Sequence, residues 1–217
     1  VVAHPEHGVW EAIAHSFDRN RTRTWPHVEA FLRGLPPGSR VLDLMGGNGR
    51  HTRCVLDAGH RAAWLDWSRP AARIVADRYP QVAVVVAEAT HLPLADASFD
   101  ACIFVAGLHC LPTPTARQSA LRELRRILKP GGGAQVTVWS RDAPRFRAGG
   151  TPGHPIDVVL PWRSDGHDEP RPYHLYTPAA LEADLHAVGF ETYGIEAVAV
   201  VAREPDNLVA TVRRPMA

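Results

Sequence analysis

Apolar residues return at helical spacing twice before the chain first becomes extended: at Val9, Trp10, Ile13, Ala14 and Phe17, then at Trp25, Val28, Phe31 and Leu32. Side chains three and four positions apart share one helix face, so the pattern predicts helices over 7–17 and 25–35. The polar, arginine-rich stretch 18–24 reads as a loop between them, and Pro36-Pro37-Gly38-Ser39 stops the second helix. The period then shortens. Compact apolar runs begin near Arg40 and recur at 62–65, 82–87, 101–105 and 135–139, with helical patterns at 50–58, 70–78 and 114–128 between them. Pro70 suits the first turn of its helix, and Pro130-Gly131-Gly132-Gly133 turns the long helix toward the fifth strand. Beyond Trp139 the regularity lapses. Residues 140–172, rich in proline, glycine, histidine and charge, are too many for an ordinary connection and read as a functional or flexible loop. A helix over 177–189 follows, with Thr177 as N-cap and Gly189 as its stop. Two last apolar runs, 195–202 and 208–212, flank Pro205-Asp206-Asn207 and read as an antiparallel hairpin.

Strands alternating with helices at this spacing imply a doubly wound α/β sheet, mostly parallel, to which the C-terminal hairpin adds the sixth and seventh strands. At 217 residues the chain buries one good core, so 1–217 is expected to be a single domain. Arginine and lysine number 24 against 23 acidic residues, so no global field draws in a polyanion. Any RNA contact must come from local clusters such as Arg19, Arg21 and Arg23, or Arg141, Arg145 and Arg147. Cys54, Cys102 and Cys110 form no C-x-x-C pair and suggest neither a disulfide framework nor a thiolate zinc site. No stretch approaches the roughly 18 apolar residues of a membrane span, and the start of the chain resembles no signal peptide, so a cytoplasmic location without membrane contact is expected. His154, His167 and His174 with Asp157 and Asp165 match no metal-ligand spacing, and no metal is expected there.

Chemistry concentrates at Val41-Leu-Asp-Leu-Met-Gly-Gly-Asn-Gly-Arg-His51, a buried-type strand running into a glycine-rich turn. Gly46, Gly47 and Gly49 let backbone and the next helix N-terminus approach a ligand closely. A P-loop is excluded because no Gly-Lys-Ser/Thr follows, and the spacing is not the G-x-G-x-x-G of dinucleotide folds. Asp66 ends the second strand about twenty residues on, where an acidic side chain can accept from both hydroxyls of a ribose. Glu88 ends the third strand at the same edge of the sheet, followed by Ala89.

These residues resemble motif I and the acidic motifs of class I S-adenosylmethionine-dependent methyltransferases. Phe99-Asp100, Leu108-His109-Cys110-Leu111 and Leu124-Arg-Arg-Ile-Leu-Lys-Pro-Gly-Gly132 follow in the order of that class. The resemblance implies a Rossmann-like sheet over a cofactor-binding core at 40–139, preceded by helices at 1–39. It makes S-adenosylmethionine the cofactor, held by Asp43, Gly46, Gly47, Gly49, Asp66, Glu88 and Ala89. Met45 stands where the class has glycine and is expected to crowd the cofactor.

The additions to the core resemble the tRNA wobble-uridine carboxymethyl methyltransferases. They are Phe17-x-x-x-Arg21-x-x-x-Trp25-Pro26, Val158-Val-Leu-Pro-Trp-Arg163, Arg171-Pro-Tyr-His-Leu-Tyr176 and Asp206-Asn207. Cys110 and Pro172 depart from the usual histidine and tyrosine. The resemblance implies esterification of 5-carboxymethyluridine in the tRNA anticodon loop, with 140–176 a substrate loop and 177–217 a C-terminal helix and hairpin. It assigns His109, Arg171 and Tyr173 to catalysis and Arg21, Arg163 and His174 to substrate binding, with Tyr173 stacking on the uracil. It also implies a small zinc-binding activator protein adding a strand at the 82–87 edge, which has no lysine, proline or inward charge to protect it. A small-molecule methyltransferase and a catalytically silent RNA-binding scaffold are the alternatives of the same fold.

Overall fold

Strand β1 (Arg40–Leu44) takes a parallel partner on each side, β2 (Arg61–Asp66) and β4 (Phe99–Val105), which puts its C-terminal turn at the middle of the sheet. In the computed structural model, which describes residues 5–147, 154–164, 166–200 and 203–216, seven strands run in the order β3-β2-β1-β4-β5-β9-β8. Strand β3 (Ala83–Val86) and β5 (Leu128–Trp139) continue the parallel set, while β9 (Asn207–Arg213) returns antiparallel against β5 and pairs with β8 (Glu191–Val198). This is the doubly wound sheet with an antiparallel C-terminal pair that the alternating pattern implies.

The faces follow from period-two alternation. Leu42, Leu44, Cys102 and Phe104 point into one core layer with Leu121, Leu124 and Ile127 of α5 (Pro114–Ile127) and Leu181 and Leu185 of α6 (Pro178–Ala187). Val41, Ala101, Ile103 and Val105 point the other way, onto Val28 and Leu32 of α2 (Pro26–Arg33) and Val55 of α3 (Arg50–Asp57). A third cluster seats Ala71, Ala72 and Val75 of α4 (Arg69–Arg78) on Trp64.

The stretch 140–172, expected to be a loop, instead builds a second sheet. Strands β6 (Ile156–Ser164) and β7 (His167–Leu175) pair antiparallel in unbroken register from Ile156↔Leu175 to Ser164↔His167. The alternation was present in the sequence, with Ile156, Val158, Leu160 and Trp162 turned inward, but Pro161, Pro170 and Pro172 obscure it. A two-stranded ribbon tolerates those prolines because its outer edges need no ladder donor. Strand β5 also starts earlier than expected, at Leu128 rather than 135, with Gly132 pressed 2.9 Å and 3.0 Å from two backbone carbonyl oxygens where a Cβ would stand. Strand β8 starts at Glu191 rather than 195, because an exposed edge strand has no buried face to mark it; residues 201–202 of the expected run lie outside the described residues.

The ribbon and helix α1 (Pro5–Asn20) stand together over the C-terminal end of the sheet. Trp162 of β6 donates its indole N–H to Ser16 Oγ at 2.8 Å and packs its ring 5.6 Å from Phe17. At the end of α1, Asp18 meets Arg78 of α4 at 2.7 Å, and Asn48 of the glycine turn donates to Asp18 Oδ1 and to the Arg21 carbonyl. Among the described residues no helix is long and apolar enough to cross a membrane.

Ser16→Ala strands the buried Trp162 donor and is expected to cost about 1–2 kcal/mol in urea unfolding. Adding Trp162→Phe to it should cost less than Trp162→Phe alone. Independent, additive losses would show that the bond does not tie ribbon to helix.

Candidate functional site

The glycine turn is shaped by what it must clear. A Cβ on Gly46 would stand 2.4 Å from Trp64 Cδ1 and 2.9 Å from Asp43 Cγ, and one on Gly49 would stand 2.8 Å from a Val75 methyl. Met45 itself sits at φ 52 and Gly47 at φ 52, a left-handed conformation that costs a side-chain-bearing residue roughly 1–2 kcal/mol. The Met45 side chain offsets part of that strain by packing against both the sheet core and the ribbon cluster. It is therefore a wall of the site as well as an intrusion.

Two carboxylates are held at this turn. Asp43, 1 % exposed, accepts from Thr52 Oγ1 at 2.6 Å; burial, with Asp66 nearby adding to it, pushes its pKa up to about 7. Asp66 accepts from the Gly47 N–H at 3.1 Å through one oxygen and from the Ser68 N–H at 3.0 Å through the other, and burial raises its pKa as well.

Above them opens a cavity of ≈ 990 Å³. Asp43, Gly46, Gly47 and Asp66 line its floor, and Arg21, His109, Arg171 and Tyr173 line its walls. Gly49 lies behind the turn against α4. Glu88 and Ala89 line an adjoining recess of ≈ 60 Å³ with Leu111 and Pro112, which shares Trp10, Met45, Trp67 and Cys110 with the main cavity. A floor of acid acceptors and bare glycines beside an apolar slot fits a nucleoside.

The ribbon side is basic and aromatic. Arg171 is 7 % exposed, and its Cζ lies 4.9 Å, 5.2 Å and 5.3 Å from the rings of Trp162, Tyr173 and Trp10. Among the described residues no carboxylate pairs with it, and its Nε has no hydrogen-bond partner. Arg145 rests 4.2 Å over Trp139, Arg21 5.0 Å over Trp162 and Arg50 5.2 Å over Trp25. His109 is stacked on Trp139 at 4.9 Å and accepts the Trp139 N–H at its Nδ1, which leaves the proton on Nε2. Burial, reinforced by Arg145, His174 and Arg171, depresses its pKa to about 3, so it is neutral at physiological pH. Tyr173 takes Trp139 at 4.4 Å and Arg171 on its ring, and is 3 % exposed. Trp139 and Arg171 thus already lie against the ring on which the sequence expects a uracil to stack. Burial holds that phenol protonated.

Two expected residues are not brought in. Arg171 and Tyr173 point inward from β7, so His174 points outward, bonded to Asp157 at 2.7 Å. Arg163 follows the inward Trp162 and sits exposed at the ribbon tip, 3.4 Å from Asp168. Asp165 lies outside the described residues. Conversely Trp139, Arg145, Arg50 and Asn207 line the cavity although none was singled out as a site residue. Arg145 had a signal in its arginine cluster, and Arg50 had one in following the last glycine of the turn.

A family model described as a methyltransferase domain matches residues 41–132. The chain is 40 % identical over 136 residues to the tRNA (carboxymethyluridine(34)-5-O)-methyltransferase of Arabidopsis thaliana, covering 63 % of this chain and 33 % of that one. It thus spans about a third of that relative's length. To the protein of the same name from Schizosaccharomyces pombe it is 30 % identical over 203 residues, covering 84 % of this chain and 87 % of that one. Among solved structures, a Burkholderia thailandensis 1,6-didemethyltoxoflavin-N1-methyltransferase with bound S-adenosylhomocysteine superposes with TM-score 0.74 at 21 % identity, covering 99 % and 92 % of the two chains. A methyltransferase in complex with the Haloferax volcanii Trm112 methyltransferase activator gives 0.73 at 17 %, covering 98 % and 99 %. Both likenesses are of fold.

Because the folded chain holds the Asp43 proton up to about pH 7 while an unperturbed carboxyl releases it near 3.8, the folded state carries the extra proton between those values. Its contribution to stability is therefore full below about 3.8 and is lost as pH rises toward 7. Buried His27 and His51, both depressed, slope the other way, so the comparison needs a variant. Asp43→Asn is expected to gain stability relative to wild type as pH rises from 4.5 to 7, by up to about 1.4 kcal/mol per unit. A constant difference in ligand-free urea melts across that range would contradict the buried protonated carboxyl.

Proposed function

We infer that this chain, which belongs to the tRNA (carboxymethyluridine(34)-5-O)-methyltransferase family, esterifies the carboxylate of 5-carboxymethyluridine at the tRNA wobble position using S-adenosylmethionine. The observation that carries the reading is Arg171: a buried guanidinium, set among aromatic rings without a carboxylate of its own, in the same cavity as the nucleoside floor. Such a group is an unfilled half of an ion pair, and a carboxylate fills it in forked geometry.

S-adenosylmethionine, when bound, supplies an electrophilic methyl group on a positively charged sulfur. Asp66 would accept from the ribose hydroxyls, the Gly46–Gly47 backbone would allow close approach without a Cβ, and Glu88 with the Ala89 N–H would hold the adenine. On the other side no strong base is needed, because the substrate carboxylate, with a pKa near ~4, is already ionised at neutral pH. That agrees with His109 and Tyr173, one neutral and the other fixed as a phenol. Their work is positional: Tyr173 and His109 form a dry wall that keeps water from the carboxylate, and Arg171 and Arg21 fix its direction. A wobble base is unpaired in its loop, so its entry breaks no base pair.

The open edge of β3 belongs to the same reading. Ala83 and Val86 are exposed, and the main contacts of α1 are with α4 and β7 and those of α2 with α3. An uncharged apolar edge is a template for another strand. We propose that a small zinc-binding activator protein occupies it; a fold neighbour was solved in complex with the Haloferax volcanii Trm112 methyltransferase activator.

Purified protein with S-adenosylmethionine and tRNA bearing 5-carboxymethyluridine should yield the methyl ester at the wobble position by nucleoside mass spectrometry. Arg171→Ala is expected to lower kcat/KM roughly a hundredfold with S-adenosylhomocysteine affinity retained, and Arg171→Lys to lose less. Wild-type kinetics in Arg171→Ala would remove the guanidinium from the site.

The chain expressed alone should self-associate, and co-expression with the activator should give a one-to-one complex that Val84→Lys disrupts. A monodisperse monomer that ignores the activator in light scattering would overturn the edge assignment.

A further inference from the structure

The cavity holds more positive charge than one substrate carboxylate uses. Arg21, Arg50, Arg145 and Arg171 all line it, and the charge of Arg21 works against protonation of the other three, so they share one field. Asp206 lies close enough to Arg145 to favour its charge. Arg21, Arg50 and Arg171 form no ion pair among the described residues, although the buried Asp43 carboxyl on the cavity floor favours the charge of Arg50. Like charges confined in a partly desolvated cavity repel, and a fold retains them where a ligand compensates.

Arg50 and Arg145 have no part in the reaction as proposed, and of the two Arg145 already has Asp206 close by. Arg50 opens α3 on the α2–α3 face of the sheet, whereas Arg171 comes from the ribbon. Its guanidinium is half-buried over Trp25 at 5.2 Å and makes no hydrogen bond within the described residues. Its chain neighbour His51, 4 % exposed, lines the same cavity with an unpartnered Nε2. This second lobe is polar and cationic, with an aromatic floor.

We propose that Arg50, seated on Trp25, is a second oxyanion subsite of this cavity and takes a backbone phosphate of the nucleotide next to the one that reacts. The proposal rests on the tRNA reading, since a base drawn into the cavity brings its flanking phosphates to the rim. The other oxyanion able to reach Arg50 is the α-carboxylate of the cofactor. Charge decides between them: the cofactor brings its own ammonium and sulfonium groups, whereas a phosphodiester brings only negative charge, which the surplus of guanidinium groups requires.

The test compares wild type, Arg50→Gln and Arg50→Lys, each checked for folding by thermal melting. Three quantities are read: methyl transfer to an anticodon stem-loop and to the free 5-carboxymethyluridine nucleoside, calorimetric S-adenosylhomocysteine affinity, and the salt dependence of stem-loop binding. Arg50→Gln is expected to lose roughly tenfold more kcat/KM on the stem-loop than on the nucleoside, and to lower the salt slope of RNA binding by about 0.7–1. Arg50→Lys should recover most of both. Equal losses on nucleoside and stem-loop, or an unchanged salt slope, would overturn the phosphate subsite. A fall in S-adenosylhomocysteine affinity with methylthioadenosine affinity retained would assign Arg50 to the cofactor carboxylate instead. If wild type methylates neither substrate, the reaction assigned above fails, and the salt slope still decides the subsite.

Discussion

Gly46 lies so near the indole of Trp64 that even a methyl group has no room between them, and the upper end of the molecule depends on that contact. It holds the end of β1 down against β2, so that Gly47 reaches the Asp66 carboxylate and Asn48 reaches the end of α1. A displaced turn would part Asp43 from Asp66, lift Phe17 from Gly47 and loosen the helix that carries Trp10 toward Arg171. Left-handed backbone at Met45, Gly47 and Gly49 is the cost of folding so tightly, spread over a segment gripped from several sides.

Opposite this floor, guanidinium groups rest on aromatic faces rather than on carboxylates. Cation–π contact holds such a group in place at modest energy without neutralising it, so Arg171 and Arg50 keep their donors for a ligand. An internal salt bridge would hold them as firmly and leave nothing to bind with. The same burial that makes the wall dry also turns His109 and Tyr173 into neutral, fixed shapes, which suits a nucleophile that arrives already ionised.

What was legible in the sequence was what local rules dictate. The strand, glycine turn and helix from Arg40 onward, the acid ending β2 and the parallel order each follow from period, glycine placement or spacing. What escaped depended on pairing between distant segments. Pro161, Pro170 and Pro172 disguise the alternation of the ribbon, which turns Arg163 and His174 to the side opposite Arg171 and Tyr173. Arg50 reads locally as a solvated residue in a first helical turn, and only the fold shows Trp25 beneath it. The contact of Trp139 with the Tyr173 ring, made from a strand more than thirty residues earlier in the chain, is likewise invisible to local rules.

The ribbon β6–β7 pairs only with itself among the described strands, and its root joins the main sheet through the single bridge between Ser140 and Tyr176. No register of the seven-stranded sheet passes through it. Its inward residues can therefore change without breaking a ladder of the main sheet, although Trp162 and the cluster beneath Met45 still bear on the glycine turn through α1. The acceptor side of the cavity is thus a separate unit of about twenty residues hung on one bridge, while the sheet carries the other side through its own ladders.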